Sequence, residues 1–235
     1  MIAPVLAVDG PSGSGKGTIC RLVAEQMDWR LLDSGALYRL VAVAAARHKV
    51  ALDDAQSLAA LAAGLDVEFA VNDQGGECVL LEGQDVTADI RTETCGNLAS
   101  KVAALPPVRA ALVELQHGFR RLPGLVADGR DMGTVIFPDA TAKVFLTASA
   151  EARAQRRYKQ LIEKGFDANL RSLCTEIAER DARDREREAS PLIPAADALE
   201  IDTTSMSIEQ VVQRVVNHLQ DSLRGDAPGD GQRSP

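Results

Sequence analysis

Aromatic residues, long apolar runs and paired cysteines are all scarce in this sequence, and each shortage removes a class of protein. Phe, Trp and Tyr make up 3% of the 235 residues, against 46% hydrophobic residues in total, which suffices for one medium domain or a core domain with an insert. The longest apolar run is seven residues, 40–46. A membrane-spanning helix needs about 20, so no membrane partner is expected. Met1 leads almost directly into a strand-like run, without a charged leader or cleavage site. No secretory signal is therefore expected, and the expected location is cytoplasmic. Cys20, Cys78, Cys95 and Cys174 are scattered and form no CxxC. They suggest free thiols in a reducing compartment, neither a disulfide frame nor a zinc site.

Basic charge is also short. The net charge of −8 argues against non-specific binding of nucleic acid or acidic membranes. Lysine is rare among the cations, 6 against 20 arginines. The planar arginine fork suits phosphate and base edges, although a GC-rich genome can produce the same bias.

What is present is alternation. Apolar runs at 5–9, 30–33, 125–128, 143–147 and 199–202 alternate with helical patterns, as a parallel α/β sheet requires. Four of the five end in aspartate, at the strand ends where ligands bind in such sheets. Helices are expected from the first loop to about 27, then at 37–47, 92–104, 108–122, 150–164 with Gly165 as cap, 170–188 and 207–223. Between them, Leu65, Val67, Phe69 and Val71 alternate with Asp66, Glu68 and Ala70. A turn at 72–76, a strand at 77–81 and a further turn into 85–87 complete a small inserted antiparallel sheet. Residues 224–235 are expected to be a disordered tail.

Residues 10–18 read GPSGSGKGT, between a strand and an amphipathic helix. The phosphate-loop pattern is matched at Gly10, Gly15 and Lys16, but Gly17 displaces the hydroxyl residue to Thr18. Glycines let backbone N–H groups converge on phosphate oxygens, while the helix N-terminus and Lys16 add positive charge. Gly10, Pro11, Ser12, Gly13, Ser14, Gly15, Lys16, Gly17 and Thr18 are thus the expected ATP-phosphate site. A dinucleotide fold competes, because Asp33 lies twenty residues after Gly13, but GSGKG does not match GxGxxG. The GTPase sequence NKxD is absent, and GKGT is the ending used by kinases resembling adenylate kinase.

Two further segments read as parts of a second substrate site. Arg39 lies one turn into the helix after Asp33, where a cation can hold a second phosphate. Asp128-Gly129-Arg130-Asp131 follows the third strand. There Asp128 can face Mg²⁺ through water, and Arg130 can span donor and acceptor phosphates. In the charged stretch 179–188, Arg180, Asp184 and Arg187 share a face that continues Leu173 and Ile177, so they are expected to point into a cleft. A solvated helix laced with ion pairs is the competing reading.

These segments carry a resemblance. Over residues 4–223 the chain resembles bacterial members of the cytidylate kinase family. The matching stretches are DGPSGSGKGT, LLDSGALYR, LEGQDVT, IRTE, LPGLVADGRDMGTVIFPDA, EKGF, ERDARDRER and SPLIPAADAL. The resemblance implies an α/β P-loop kinase fold: a five-stranded parallel sheet flanked by helices, a small antiparallel sheet in the acceptor-nucleotide domain, and a helical lid. It implies a core at 1–33, 123–148 and 189–223, a CMP-binding domain at 34–122, and an arginine-rich lid with its adjoining helix at 149–188. Position by position, Arg39 and Arg130 would hold the CMP phosphate. Ser100, Arg109, Asp131 and Arg187 would surround cytosine, and Arg180 and Asp184 would reach the ribose. Ser34 would join the CMP site, and Arg153, Arg156 and Arg157 would meet ATP phosphates. Lys16, Arg130 and Asp128 would be the catalytic set. No direct protein ligand for the metal is implied; Mg²⁺ would enter with ATP, held by phosphates and water.

The implied reaction is phosphorylation of CMP or dCMP by a monomer acting on small molecules. The chemistry fits, because a carboxylate such as Asp131 can accept from the cytosine N4 amino group, where uracil presents an acceptor instead. Two alternatives stay open: a kinase for another small phosphate or hydroxyl acceptor, and a P-loop switch protein that transfers nothing.

Overall fold

Parallel strands buried on both faces need helices on both sides, and the chain supplies them in alternation. The computed structural model describes residues 2–71, 77–163, 165 and 167–225. Among them the order is β1 (Val5–Asp9), α1 (Lys16–Met27), β2 (Arg30–Asp33), α2 (Ser34–Arg47), α3 (Ala55–Ala63), β3 (Val67–Val71), β4 (Glu77–Leu81), β5 (Gln84–Asp85), α4 (Glu93–Val102), α5 (Pro106–His117), β6 (Leu125–Gly129), β7 (Ala142–Thr147), α6 (Ala150–Glu163), α7 (Leu170–Glu186), β8 (Leu199–Asp202) and α8 (Ile208–Gly225). Short single turns occupy Asp89–Arg91 and Met132–Ile136.

The five expected strands form one parallel sheet in the order β2-β6-β1-β7-β8. The chain leaves central β1 to build one side and returns to build the other. Loops after β1 and β6 therefore diverge at a topological switch point, where such sheets bind ligands. Register does the fine placement: Asp9 lies opposite Gly129, and Asp33 opposite Asp128.

Apolar side chains fill both faces. On one, Val5, Ala7, Leu32, Leu125 and Ala127 pack with α2, α3, α4 and α5. On the other, Leu6, Val8, Val126, Val144 and Leu146 meet Ile19 and Val23 of α1 and Val211, Val215, Val216 and Leu219 of α8. The spacing of those four α8 residues is a helical stripe, and burying each aliphatic side chain contributes about 1.5–3 kcal/mol.

The inserted sheet has the order β3-β4-β5, all antiparallel. Its last strand is Gln84–Asp85, one residue earlier than expected, because the Asp85 carboxylate turns the chain by accepting from the Thr87 N–H at 2.8 Å. Phe69 is 47% exposed and packs edge to face with Phe119.

Several helix bounds shift, and caps explain one shift and one helix absent from the sequence reading. Asp33 accepts from Ala36 N–H at 3.1 Å, so α2 begins at Ser34, three residues early. The sequence reading leaves 48–64 unassigned, yet Asp54 caps α3 through Ser57 N–H at 3.0 Å, and α3 buries Leu58 and Ala62 against α5. Gly165 has φ +79° and its N–H reaches the Ile162 carbonyl at 2.9 Å, as a helix-ending glycine does. The expected turn at 72–76, Lys164 and Phe166 beside that cap, and 226–235 of the expected tail lie outside the described residues. Arg224 and Gly225 belong to α8.

Candidate active site

The loop after β1 is shaped by glycines that nothing larger can replace. A Cβ on Gly10 (φ +148°) would stand 2.0 Å from the Leu146 carbonyl oxygen, so the loop starts pressed onto β7. Gly13 and Gly15 have φ of +77° and +95°, the left-handed region that favours glycine. Gly15 is the N-cap of α1, whose first turn holds no acid, leaving its N–H groups and partial positive charge for an anion. Lys16 is buried. Its Nζ donates to the Pro11 carbonyl at 3.0 Å and stands 4.0 Å from the Asp128 carboxylate.

One cleft of about 670 Å³ joins this loop to the rest of the sequence-predicted site. Residues 12–18, Ser34, Arg39, Ser100, Arg109, Asp128, Arg130, Asp131, Arg156, Arg157, Arg180, Asp184 and Arg187 all line it. Gly10 and Pro11 do not; they shape the loop from beneath. Arg153 does not either. It is 3% exposed, and its guanidinium grips Asp181 with two bonds, of 2.9 and 2.5 Å, while also donating to the Ser12 carbonyl at 3.1 Å. It anchors α6 and α7 to the phosphate loop.

The cleft wall beyond the phosphate loop is a lattice of ion pairs among distant segments. Arg109 from α5 donates to Asp131, and Arg187 Nη2 lies 3.8 Å from the same carboxylate. Arg130 Nε donates to Asp184 of α7 at 3.0 Å, and Ser100 Oγ of α4 reaches Asp184 at 3.4 Å. Ser34 Oγ donates to the Asp128 carbonyl at 2.8 Å, fixing the start of α2 to the end of β6. Arg39 Nη1 donates to the Ile90 and Thr92 carbonyls at 2.6 and 3.1 Å. Its guanidinium rests on Gly96, where a Cβ would come within 2.8 Å.

Burial governs the charges. It pushes the Asp128 carboxyl above the usual carboxylate range; Lys16 opposes this and Asp33, brought alongside by strand register, reinforces it. Burial also lowers the Lys16 ammonium, and Arg130 lowers it further. Arg180 is lowered to about 10 by burial and by Arg130. Burial works to raise Asp184, but Arg130 and Arg180 outweigh it and hold the carboxyl low. A site so crowded with cations is suited to anions. Buried guanidinium nitrogens of Arg157 (Nε), Arg180 (Nε) and Arg187 (Nη2) have no hydrogen-bond partner, and an unpaired buried donor is costly until an acceptor arrives.

Sequence reasoning missed four residues. Tyr38 lines the cleft beneath the Arg109 guanidinium, 5.6 Å from its ring centroid. Thr203 is buried just past β8, bonds the Ser14 and Thr147 carbonyls at 3.0 Å each, and accepts from Arg156 at 3.1 Å. Glu93, at the first turn of α4, pairs with Arg157 of α6. Asp9 accepts two backbone N–H bonds from the loop after β6. Only Asp9 carried a signal, as an acid ending the central strand.

Comparison with known proteins agrees with this geometry. A family model described as cytidylate kinase matches residues 6–221. A relative from Aeromonas salmonicida (strain A449), named cytidylate kinase, is 58% identical over 226 residues, covering 96% of this chain and 97% of that protein. Relatives of the same name from Shewanella sp. (strain W3-18-1) and Yersinia enterocolitica are 56% and 58% identical. They cover 94% and 93% of this chain, and 96% and 94% of their own lengths.

Proposed function

The chain belongs to the cytidylate kinase family, and from that premise we propose how its cleft moves the γ-phosphoryl group of ATP to the phosphate of CMP or dCMP. One observation carries the reading: the glycine loop with Lys16 and the Asp128–Asp131 loop open into a single cleft with the arginines of α2, α5, α6 and α7.

ATP phosphates lie on residues 12–18 and Lys16, and the acceptor phosphate lies between Arg39 and Arg130. Asp131, steadied by Arg109, accepts from the cytosine amino group, while Ser100 and Arg187 complete the base pocket. Arg180 and Asp184 face the ribose. Arg156 and Arg157 close on the ATP phosphates from the lid, and Arg153 serves that lid as an anchor. In this reading the core comprises 1–33, 123–148 and 189–223, the acceptor domain 34–122, and the lid with its adjoining helix 149–188.

No general base is needed. The acceptor phosphate has its second pKa near about 6 and is mostly dianionic at neutral pH. What the protein must overcome is repulsion between two anions. Lys16 and the arginines offset it, and closure keeps out water that would otherwise take the phosphoryl group. Mg²⁺ entering with ATP would add charge neutralisation. The donor set suits it: Asp33 and Asp128 offer hard oxygen ligands side by side next to the phosphate loop. Among the described residues no three or more His, Cys, Asp or Glu side chains gather as a metal cage.

The reading takes the enzyme to act as a monomer on small-molecule substrates. Among the described residues no helix is long and apolar enough to cross a membrane. A coupled ADP-release assay across CMP, dCMP, UMP, AMP and no acceptor tests the function. Turnover should appear with CMP and dCMP and fall away without acceptor; equal ATP consumption in the blank would overturn the kinase reading.

A further inference from the structure

Asp9 takes no part in the mechanism above, yet its side chain reaches from the root of the phosphate loop to the loop that carries Asp131 by hydrogen bonds at both of its oxygens. It ends β1 and is 4% exposed. Oδ1 accepts from Met132 N–H and Oδ2 from Gly133 N–H, each at 2.8 Å. Those amides open the single turn that follows Asp131. In that turn the Asp131 carbonyl accepts from the N–H groups of Val135 and Ile136, at 2.9 and 3.1 Å.

The fit leaves little slack on either side. A Cβ on Gly133 would stand 3.2 Å from the Lys143 side chain and 3.5 Å from Asp9 Oδ2. Asp9 is joined to Gly10, which the Leu146 carbonyl pins in place. The register of β1 with β6 sets Asp9 opposite Gly129, two residues before Asp131. A carboxylate is also the right group, because only two acceptor oxygens can serve two neighbouring N–H donors; an amide would turn its NH₂ toward one of them.

We propose that Asp9 is a positioning residue, whose buried carboxylate ties the backbone at Met132 and Gly133 to the root of the phosphate loop and thereby sets where Asp131 and Arg130 stand relative to the ATP phosphates. The inference rests on the reading that Asp131 recognises the cytosine of CMP. It predicts a split: loosening Asp9 harms the acceptor site and spares the donor site, although Asp9 is the chain neighbour of the donor loop.

The test is steady-state kinetics of Asp9→Asn beside Asp131→Asn, with CMP and UMP as acceptors. Leaving one buried donor unpaired costs a factor of about 5 to 150 in an equilibrium. Asp9→Asn should therefore raise KM for CMP about tenfold or more and narrow the CMP-to-UMP preference, with KM for ATP within about twofold of wild type. An unchanged KM for CMP, or equal rises in both KM values, overturns the proposal. If Asp131→Asn narrows the preference and Asp9→Asn leaves it alone, the positioning role alone falls. If Asp131→Asn leaves it unchanged, the base-recognition reading falls and takes the proposal with it. Should Asp9→Asn not fold, amide hydrogen exchange of the unliganded wild-type enzyme decides. Protection of Met132 and Gly133 by about a hundredfold or more supports the tie, and exchange at the unprotected rate overturns it.

Discussion

The two ends of the cleft are built on opposite plans. The donor end is one continuous stretch, 10–18, running from the end of β1 into the first turn of α1, with its backbone amides aimed by glycine conformations. The acceptor end draws side chains from residue 34 to residue 187, held by ion pairs between α5, α7 and the loop after β6. A backbone cradle recognises phosphate, which every nucleotide carries. A side-chain lattice can recognise a base, because donor and acceptor patterns differ from one base to the next. The specific end is therefore the one that depends on the whole fold being right.

The largest expected effect strikes the donor end. Lys16→Met should lower kcat by about 10³-fold or more, since removing one preorganised charge at a phosphoryl-transfer site costs at least as much as losing one oxyanion donor; single-turnover kinetics at saturating ATP and CMP would measure it. A loss of less than tenfold would move the burden of charge stabilisation to the arginines.

Arg153 sharpens the contrast inside the lid helix. Breaking its buried pair with Asp181 leaves an uncompensated charge, so Arg153→Met should destabilise the fold by about 3–5 kcal/mol, read by urea unfolding. Arg157→Met, whose partner Glu93 is half-exposed, should barely change stability and should act on KM for ATP. Equal stability losses would erase the distinction between anchor and ligand.

At the acceptor end, Asp131→Asn should narrow the ratio of kcat/KM for CMP over UMP by about tenfold, the worth of one matched donor–acceptor contact in a closed site. The last expected effect concerns pH. Burial pushes the Asp9 carboxyl up from its ordinary range to about 7, with the Gly133 and Met132 N–H groups opposing. A carboxyl raised on folding contributes stability that is fully present below its unfolded value and is lost as pH rises through the folded one. Wild type should therefore lose stability relative to Asp9→Asn between pH 4 and pH 7, by at most about 1.4 kcal/mol per pH unit. Paired melting curves across that window check the sign; a difference that grows with pH would reverse it.

Much of this was legible in the chain. Residues 10–18 declare a phosphate loop because local backbone conformation is itself the binding device, and glycine spacing encodes it. The five parallel strands announce themselves as apolar runs, and the shared face of Arg180 and Asp184 follows from helical spacing. The expected helix 170–188 ends at Glu186, and Arg187 follows it with extended backbone, so its place in the cleft was not set by that spacing. Outside that reach were α3, whose short alanine-rich stretch becomes a helix by capping at Asp54 and packing on α5, and the different fates of Arg153, Arg156 and Arg157. Those three lie within five residues on one helix, yet one is sealed against Asp181, one rests on Thr203 and one bridges to Glu93.

By itself, the sequence determined a phosphate-binding α/β chain and which side chains were available to a second substrate, because strand periodicity, glycine conformations and helical faces are local properties. Only the tertiary structure decided which arginines line the cleft and which are struts, that Asp33 lies beside Asp128, and that Asp9 bonds the far loop. Those facts depend on strand register and on helices that meet from opposite ends of the chain, and neither is encoded within any one segment.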